Sequence, residues 1–167
     1  MNAHFSIEII DHQHVIHLPE LWITWLESRA LAALPLVLEQ GCETNHLLLL
    51  THLDVALVDE DASAQAHRDF MNVDGATDVI TFLHGELVIC PVVAQRQAIE
   101  NQEPFLRELL RYVIHGMLHL AGHDDRIAEQ RANMEAAQEA IVAKCWHDVS
   151  TKLLGNDVFD VNRGDSF

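Results

Sequence analysis

The chain has 167 residues, of which 49% are hydrophobic, and this is enough for one globular domain with a buried core. Its formal net charge of −16 argues against broad non-specific binding to nucleic acid, which depends on Lys and Arg neutralising phosphates. Cys42, Cys90 and Cys145 are widely spaced, so we expect reduced thiols in a cytoplasmic protein. We find no signal segment and no apolar run of membrane-spanning length, so we expect no membrane association.

The first half of the chain alternates strand and helix patterns. Residues 5–10 are rich in β-branched side chains and predict a strand. Residues 18–40 have helical apolar spacing, with Pro35 expected to kink or divide the helix and Gly41 to end it. The second half of residues 47–58 alternates as a strand. The acidic run 59–61 then favours a helix start, and a short helix follows to about residue 70.

The second half begins with a predicted loop at residues 72–76 and two short strands, 77–82 and 86–90, joined around Gly85. Pro91 and Pro104 each open a helix, and Gly122 ends the second one. A last helix covers about residues 127–147, before a tail that we expect to be frayed from about residue 155. The pattern predicts a single α+β domain, residues 1–167, with a small mixed sheet of about four strands and about five to six helices.

The segment from His115 to Asp125, with the sequence HGMLHLAGHDD, carries the strongest chemical signal. Residues four apart share one face of a helix, so His115 and His119 can point their imidazoles at one ion. Gly122 can adopt the left-handed conformation that ends a helix, so that a residue beyond it can return as a third ligand. Burying two imidazoles without partners on an apolar helix would be costly, which favours a metal site over simple packing.

Two residues compete for the place of the third ligand. Asp125 follows His119 by six residues, the spacing of the third ligand in the long zincin-type motif. His123 follows His119 by four residues, but it shares that face only if the helix continues through Gly122. We favour Asp125 and keep His123 as the alternative. Three protein ligands leave a coordination position open, as in catalytic sites, and two histidines with a carboxylate suit zinc or non-haem iron.

Three nearby residues have two interpretations each. Gly116 occupies the place where zinc peptidases of the HExxH type carry their general-base glutamate, which counts against peptidase chemistry; it also allows close packing against another backbone. Asp78 could hydrogen-bond a metal-binding histidine or could serve the entry to a strand. Asp124 could likewise support the site or could cap the last helix.

Three motifs in this order resemble the YbeY family of bacterial rRNA-maturation endoribonucleases. They are DGATDVITF at residues 74–82, GELVICP at 85–91 and HGMLHLAGHDD at 115–125; Met134-Glu135 also fits. The resemblance covers roughly residues 55–142. It implies an α+β fold with one zinc-type ion in a cleft, with iron or nickel as other candidates. It also implies cleavage of single-stranded RNA, with rRNA and ribosomal particles as partners and without DNA or membrane.

The sequence departs from the family pattern in two places. The third family ligand is a histidine that falls on Asp125, and this change adds negative charge that should weaken Lewis acidity and repel phosphate. An arginine that the family carries before the TDV strand falls on Met71, and a family asparagine falls on His67. Arg68 is the nearest replacement, and we name it with His115 as a candidate catalytic residue. The alternative functions are therefore a metallopeptidase-like hydrolase, or a ribosome-associated metal-binding protein with reduced or lost catalysis.

Overall fold

The computed structural model describes residues 4–147. In chain order the elements are β1 (Ser6–Asp11), α1 (Glu20–Glu39), a 3-10 turn (His46–Leu49), β2 (His52–Leu57), α2 (Glu60–Met71), β3 (Val79–Phe82), β4 (Glu86–Ile89), α3 (Pro91–Asn101), α4 (Phe105–Leu120) and α5 (Ala128–His147). The expected α+β class, the small mixed sheet and the number of elements are confirmed within this range. The expected frayed tail lies outside the described residues.

The sheet has the strand order β1-β2-β4-β3. Strand β2 is parallel to both neighbours, with Val55 opposite Ile9 on one side and Leu87 on the other. Strand β3 is antiparallel to β4. Parallel neighbours need a crossover connection, which α1 supplies between β1 and β2. This arrangement places the β3 edge, and not β1, beside the residues of the candidate site.

Local signals explain where the helices begin and end. The Asp59 carboxylate accepts a hydrogen bond from the Ala62 amide at 2.9 Å and thereby caps α2, which ends at Asn72 with a left-handed φ of 57°. Pro91 stands in the first turn of α3, and Pro104 directly precedes α4. These are the boundaries that the sequence predicts, so the loops around the site are set largely by local chemistry.

Helix α4 is the centre of the core and packs against α1, α3, α5 and the sheet. Gly116 allows α4 to lie close to β4, because a Cβ atom there would come within 2.6 Å of Leu87 Cδ2. The close packing expected at Gly116 is therefore present, although α4 packs there against the side chain of Leu87 and not against another backbone. Leu87 is fully buried, so the approach also fixes the depth of α4 against the sheet.

Helix α1 is continuous although Pro35 lies inside it, so the proline does not divide it; packing of Leu34 and Val37 in the core holds both sides together. By length and composition alone, α1 is also apolar enough to cross a membrane, with a mean hydropathy of 1.3. Its buried face packs against α4 and α5, as in the core helix of a folded domain.

Candidate metal centre

Helix α4 brings two imidazoles together at its C-terminal end. His115 and His119 lie one turn apart, and their Nε2 atoms approach to 3.0 Å. Both side chains are half-buried, with 20% and 25% of their surfaces exposed. The rings therefore share one face of the helix, as the spacing predicts, and they point toward a common space that solvent can reach.

The turn after α4 returns a carboxylate to the same space. Gly122 has a φ of 98°, and a Cβ atom there would stand 2.5 Å from the carbonyl oxygen of Thr44. This position needs glycine both for its backbone conformation and for its close approach to the neighbouring loop. The chain then reverses, and Asp125 Oδ2 lies 3.6 Å from His115 Nε2 and 3.5 Å from His119 Nε2.

His123 points elsewhere. Its Nε2 lies 2.7 Å from the carbonyl oxygen of Gln40, at the end of α1, and donates a hydrogen bond to it. Its own carbonyl oxygen accepts a hydrogen bond from His119 Nδ1 at 3.1 Å. The structure thus brings His115, His119 and Asp125 together, with their ligand atoms within 4.8 Å of one another, and directs the His123 ring away from them.

The hydrogen bonds at both Nδ1 atoms determine which nitrogens carry lone pairs. A carbonyl oxygen can only accept, so His119 Nδ1 carries its proton toward His123. His115 Nδ1 likewise faces Gln138 Oε1 at 2.8 Å. Burial, followed by the neighbouring His115, lowers the pKa of His119, so its Nε2 keeps a free lone pair near neutral pH. Two lone pairs and a carboxylate oxygen therefore converge on one point.

This donor set fits a divalent ion. Ligand atoms at roughly 2.0–2.2 Å from a tetrahedral zinc ion stand about 3.3–3.6 Å from one another. The separations from Asp125 Oδ2 to the two histidine nitrogens, 3.6 and 3.5 Å, lie in this range, and the 3.0 Å between the nitrogens is slightly shorter. Nitrogen and carboxylate donors in this number suit zinc, and they also suit iron or nickel.

The three residues stand in a cleft of about 610 Å³ with two sides. The side that we call the metal wall is formed by α4, its turn and α5, with His115, His119, Asp124, Asp125, Arg126, Arg131, Met134 and Glu135. The opposite side, the strand wall, consists of His67, Met71, Thr77, Asp78, Val79, Ile80, Thr81 and Leu83. Carboxylates outnumber guanidinium groups among these lining residues, so without a bound cation the cleft would repel phosphate.

Within residues 4–147, three other residues that the sequence suggested form hydrogen bonds with partners other than His115 and His119. Arg68 lies outside the cleft lining, where its Nε donates to Asp74 at 3.2 Å. Asp78 lines the cleft but accepts from the hydroxyl of Thr77 and the amide of Val79, which is strand-entry chemistry. Asp124 is bound by Arg126, whose hydrogen bonds lower the pKa of Asp124 to about 2.

Residues that the sequence did not indicate also belong to the site. Gln138 on α5 contacts His115 across 23 positions of sequence, and only the packing of α5 against α4 brings the two together. Arg131 donates from Nε to the main-chain carbonyl of Asp125 at 3.0 Å and thereby lies in the metal wall beside Arg126. No short sequence motif predicts either contact, because each depends on the angle at which α5 follows the turn.

Two helical histidines, a returning carboxylate and an open cleft form a group that could hold a metal ion, with the donor types found in catalytic sites, on an α+β domain. The profile of the family described as Endoribonuclease YbeY matches residues 24–145. The chain belongs to the YbeY family. An Endoribonuclease YbeY from Thermotoga petrophila is 37% identical over 102 residues, which cover 57% of this chain and 68% of the relative.

Two further matches extend the likeness over more of the chain. The Endoribonuclease YbeY of Paraburkholderia phytofirmans is 30% identical over 130 residues, or 72% of this chain and 84% of the relative. The solution structure of the protein TM1509 from Thermotoga maritima is 26% identical, with a TM-score of 0.59, and the match covers 96% of this chain and 99% of that one. The fold is therefore shared over most of the chain, and not only around the motifs.

Proposed function

We propose that the chain is a metal-dependent, single-strand-specific endoribonuclease that acts in rRNA processing and ribosome maturation. The endoribonuclease activity is supported by membership of the YbeY family. The metal dependence is supported by the convergence of His115 Nε2, His119 Nε2 and Asp125 Oδ2 in the cleft. We favour one zinc ion on these three residues, with iron or nickel as alternatives.

A divalent ion bound here would act as a Lewis acid and would stabilise the negative charge that develops on the phosphoryl oxygens. The remaining tasks belong to side chains of the cleft. We assign phosphate binding to Arg126 and Arg131 of the metal wall, because they are the guanidinium groups among the lining residues. Arg131 is held in place through its Nε, so its two terminal nitrogens are suited to a phosphate.

The strand wall is suited to the bases of an unpaired strand. Met71 and Leu83 line the cleft with 60% and 57% of their surfaces exposed, so they offer apolar contact area next to the site. Bases present their faces to a protein only where they are not stacked in a duplex. Exposed apolar side chains opposite two arginines therefore favour single-stranded RNA over a double helix.

The cellular setting is proposed on the same grounds. We place the protein in the cytoplasm, working as one domain over residues 1–167, with single-stranded rRNA and ribosomal particles as partners. The net charge of −16 supports recognition at this one cleft rather than broad binding of nucleic acid. Arg68 remains a candidate for contact with RNA outside the cleft lining.

The test compares the purified protein, its chelator-treated form and the same form after addition of zinc, iron or nickel. We expect metal to restore cleavage of single-stranded RNA, with little cleavage of duplex RNA or single-stranded DNA, and we expect His115→Ala to remain inactive. Cleavage of casein would instead indicate the metallopeptidase alternative. Absence of both activities in a metal-loaded protein whose stability falls in His115→Ala would indicate a metal-binding protein without catalysis.

A further inference from the structure

We propose that Gln138 is a positioning residue that fixes the tautomer and the ring orientation of His115. Its own amide is oriented by a group that we call the Arg111 cluster, which consists of Glu103, Glu108, Arg111 and Glu139. The inference rests on the proposed function only in treating His115 as a metal ligand. This network lies outside the cleft lining; Arg111 and Glu108 are largely buried in it, whereas Glu139 is 48% exposed.

The two ends of the Gln138 amide face different partners. Gln138 is 7% exposed, and its Nε2 donates to Glu139 Oε1 at 3.1 Å while its Oε1 lies 2.8 Å from His115 Nδ1. A carboxylate can only accept, so the amide nitrogen must face Glu139 and the amide oxygen must face His115. The reversed amide would place two acceptors against each other at Glu139, so the contact with Glu139 selects the orientation in which the amide oxygen faces His115.

Glu139 is held by Arg111. Arg111 donates from Nε to one oxygen of Glu139 at 2.7 Å and from a terminal nitrogen to the other at 3.1 Å. Such a bidentate pair has little freedom to rotate. Burial raises the pKa of Glu139, but hydrogen bonds from Arg111 and Gln138 outweigh it, and the net pKa is lowered. Glu139 is therefore an acceptor near neutral pH, as the orientation of the Gln138 amide requires.

The Arg111 guanidinium is itself held by two further carboxylates. Arg111 is 12% exposed, and besides Glu139 it pairs with Glu103 at 2.8 Å and with Glu108 in the preceding turn. Breaking one partner of a buried ion pair is costly, so Arg111 is anchored more firmly than a surface arginine. The anchor thus reaches across from α4 to α5 and sets the position of the carboxylate that Gln138 contacts.

The contacts of Arg111 and His115 join helix α4 to helix α5. Arg111 and His115 lie four residues apart on one face of α4, and they contact the adjacent residues Glu139 and Gln138 on α5. Two neighbouring turns of α4 are therefore joined to one point of α5. With Nδ1 of His115 holding its proton toward Gln138, Nε2 presents its lone pair to the cleft, as a metal ligand must.

The test is Gln138→Met, which keeps the length of the side chain but removes both polar ends. The matched control is Gln130→Met, an exposed position on the same helix. We expect the zinc affinity of Gln138→Met, measured by chelator competition, to fall about 10- to 100-fold, as is typical for loss of an outer hydrogen-bond partner. We also expect the ¹⁵N shifts of His115 in metal-free protein to show loss of the uniform Nδ1–H tautomer, with neither change in Gln130→Met.

Gln138→Glu separates positioning from general stability. A carboxylate there still accepts from Nδ1 of His115, so zinc affinity should return to near the wild-type value even though repulsion from Glu139 lowers the melting temperature. Equal loss of zinc affinity in the Met and Glu variants would overturn the proposal, as would an unchanged His115 tautomer in folded Gln138→Met. The tautomer is read without metal or RNA, so a wild-type protein that cleaves no RNA would contradict the proposed function and leave this result standing.

Discussion

The two walls of the cleft are built in different ways. In the metal wall, His115 and His119 each have an Nδ1 partner, and the turn at Gly122 fits tightly against the loop at Thr44. In the strand wall, Met71 is largely exposed. The neighbouring Arg68 is also exposed, and its guanidinium pairs with Asp74 at the surface. The histidines of the metal wall are therefore held by side-chain and main-chain partners, whereas the strand wall carries exposed side chains beside a paired strand.

This difference separates two requirements of the site. A metal ion needs ligand atoms held to a fraction of an ångström, so its residues require packed neighbours and outer hydrogen bonds. An RNA strand can be held by exposed groups that adjust to it. Substitutions in the metal wall should therefore affect metal binding and stability, whereas those in the strand wall should affect RNA affinity.

The largest effect is expected for His119→Ala, which removes a proposed metal ligand and its hydrogen bond to the turn. We expect zinc affinity to fall by more than about 100-fold, beyond the loss typical of an outer partner, and RNA cleavage to disappear with it. The control is His14→Ala, at an exposed position between β1 and α1. A His119→Ala protein that binds zinc as tightly as the wild type would remove the metal wall from the account.

The second comparison uses two glycines with similar backbone conformations, Gly122 in the metal wall turn and Gly75 before the strand wall. Their φ values are 98° and 92°, but a Cβ atom at Gly75 meets nothing within 4 Å. We expect Gly75→Ala to cost about 1 kcal/mol from backbone strain alone, and Gly122→Ala about 3 kcal/mol because steric overlap is added. Denaturant unfolding measures both, and equal losses would show that the turn at Gly122 is not tightly packed.

A smaller effect is expected when the strand wall receives a cation. Met71→Arg places a bidentate phosphate donor opposite Arg126 and Arg131, and we expect roughly fivefold tighter binding of single-stranded RNA. The dependence of affinity on salt should also steepen, because one more phosphate is neutralised. Met71→Leu is the neutral control. If the arginine variant matched the leucine variant at every salt concentration, RNA would not pass along this wall.

The smallest effect is a dependence of metal-free stability on pH. In the folded state, burial and then the neighbouring His115 lower the pKa of His119 below its ordinary value. At pH values between the folded and the unfolded pKa of His119, the unfolded chain therefore binds more protons than the folded chain. Stability should therefore decrease as the pH falls below about 6.5 and passes through the folded pKa. Thermal unfolding between neutral and mildly acidic pH should show a shallower decrease in His119→Asn, and an identical slope would contradict the assignment.

The sequence predicted the strands, most helix boundaries and the meeting of His115, His119 and Asp125, because these depend on local signals. Of the two effects expected of Pro35, a kink or a division of the helix, the division is absent because tertiary packing of α1 outweighs the local effect of proline. Gln138 was not found because its contact depends on the approach of two helices, which no spacing rule encodes. The direction of the Arg68 side chain was equally inaccessible, since a surface arginine chooses among nearby carboxylates.

The most direct test of the central claim is the zinc affinity of Asp125→Ala beside His123→Ala, each measured by chelator competition on folded protein. Loss of the carboxylate should weaken zinc binding by about 100-fold, whereas His123→Ala should stay close to the wild type, because only its main-chain carbonyl touches the site. The reverse result, with Asp125→Ala unchanged and His123→Ala weakened, would contradict the metal centre described above.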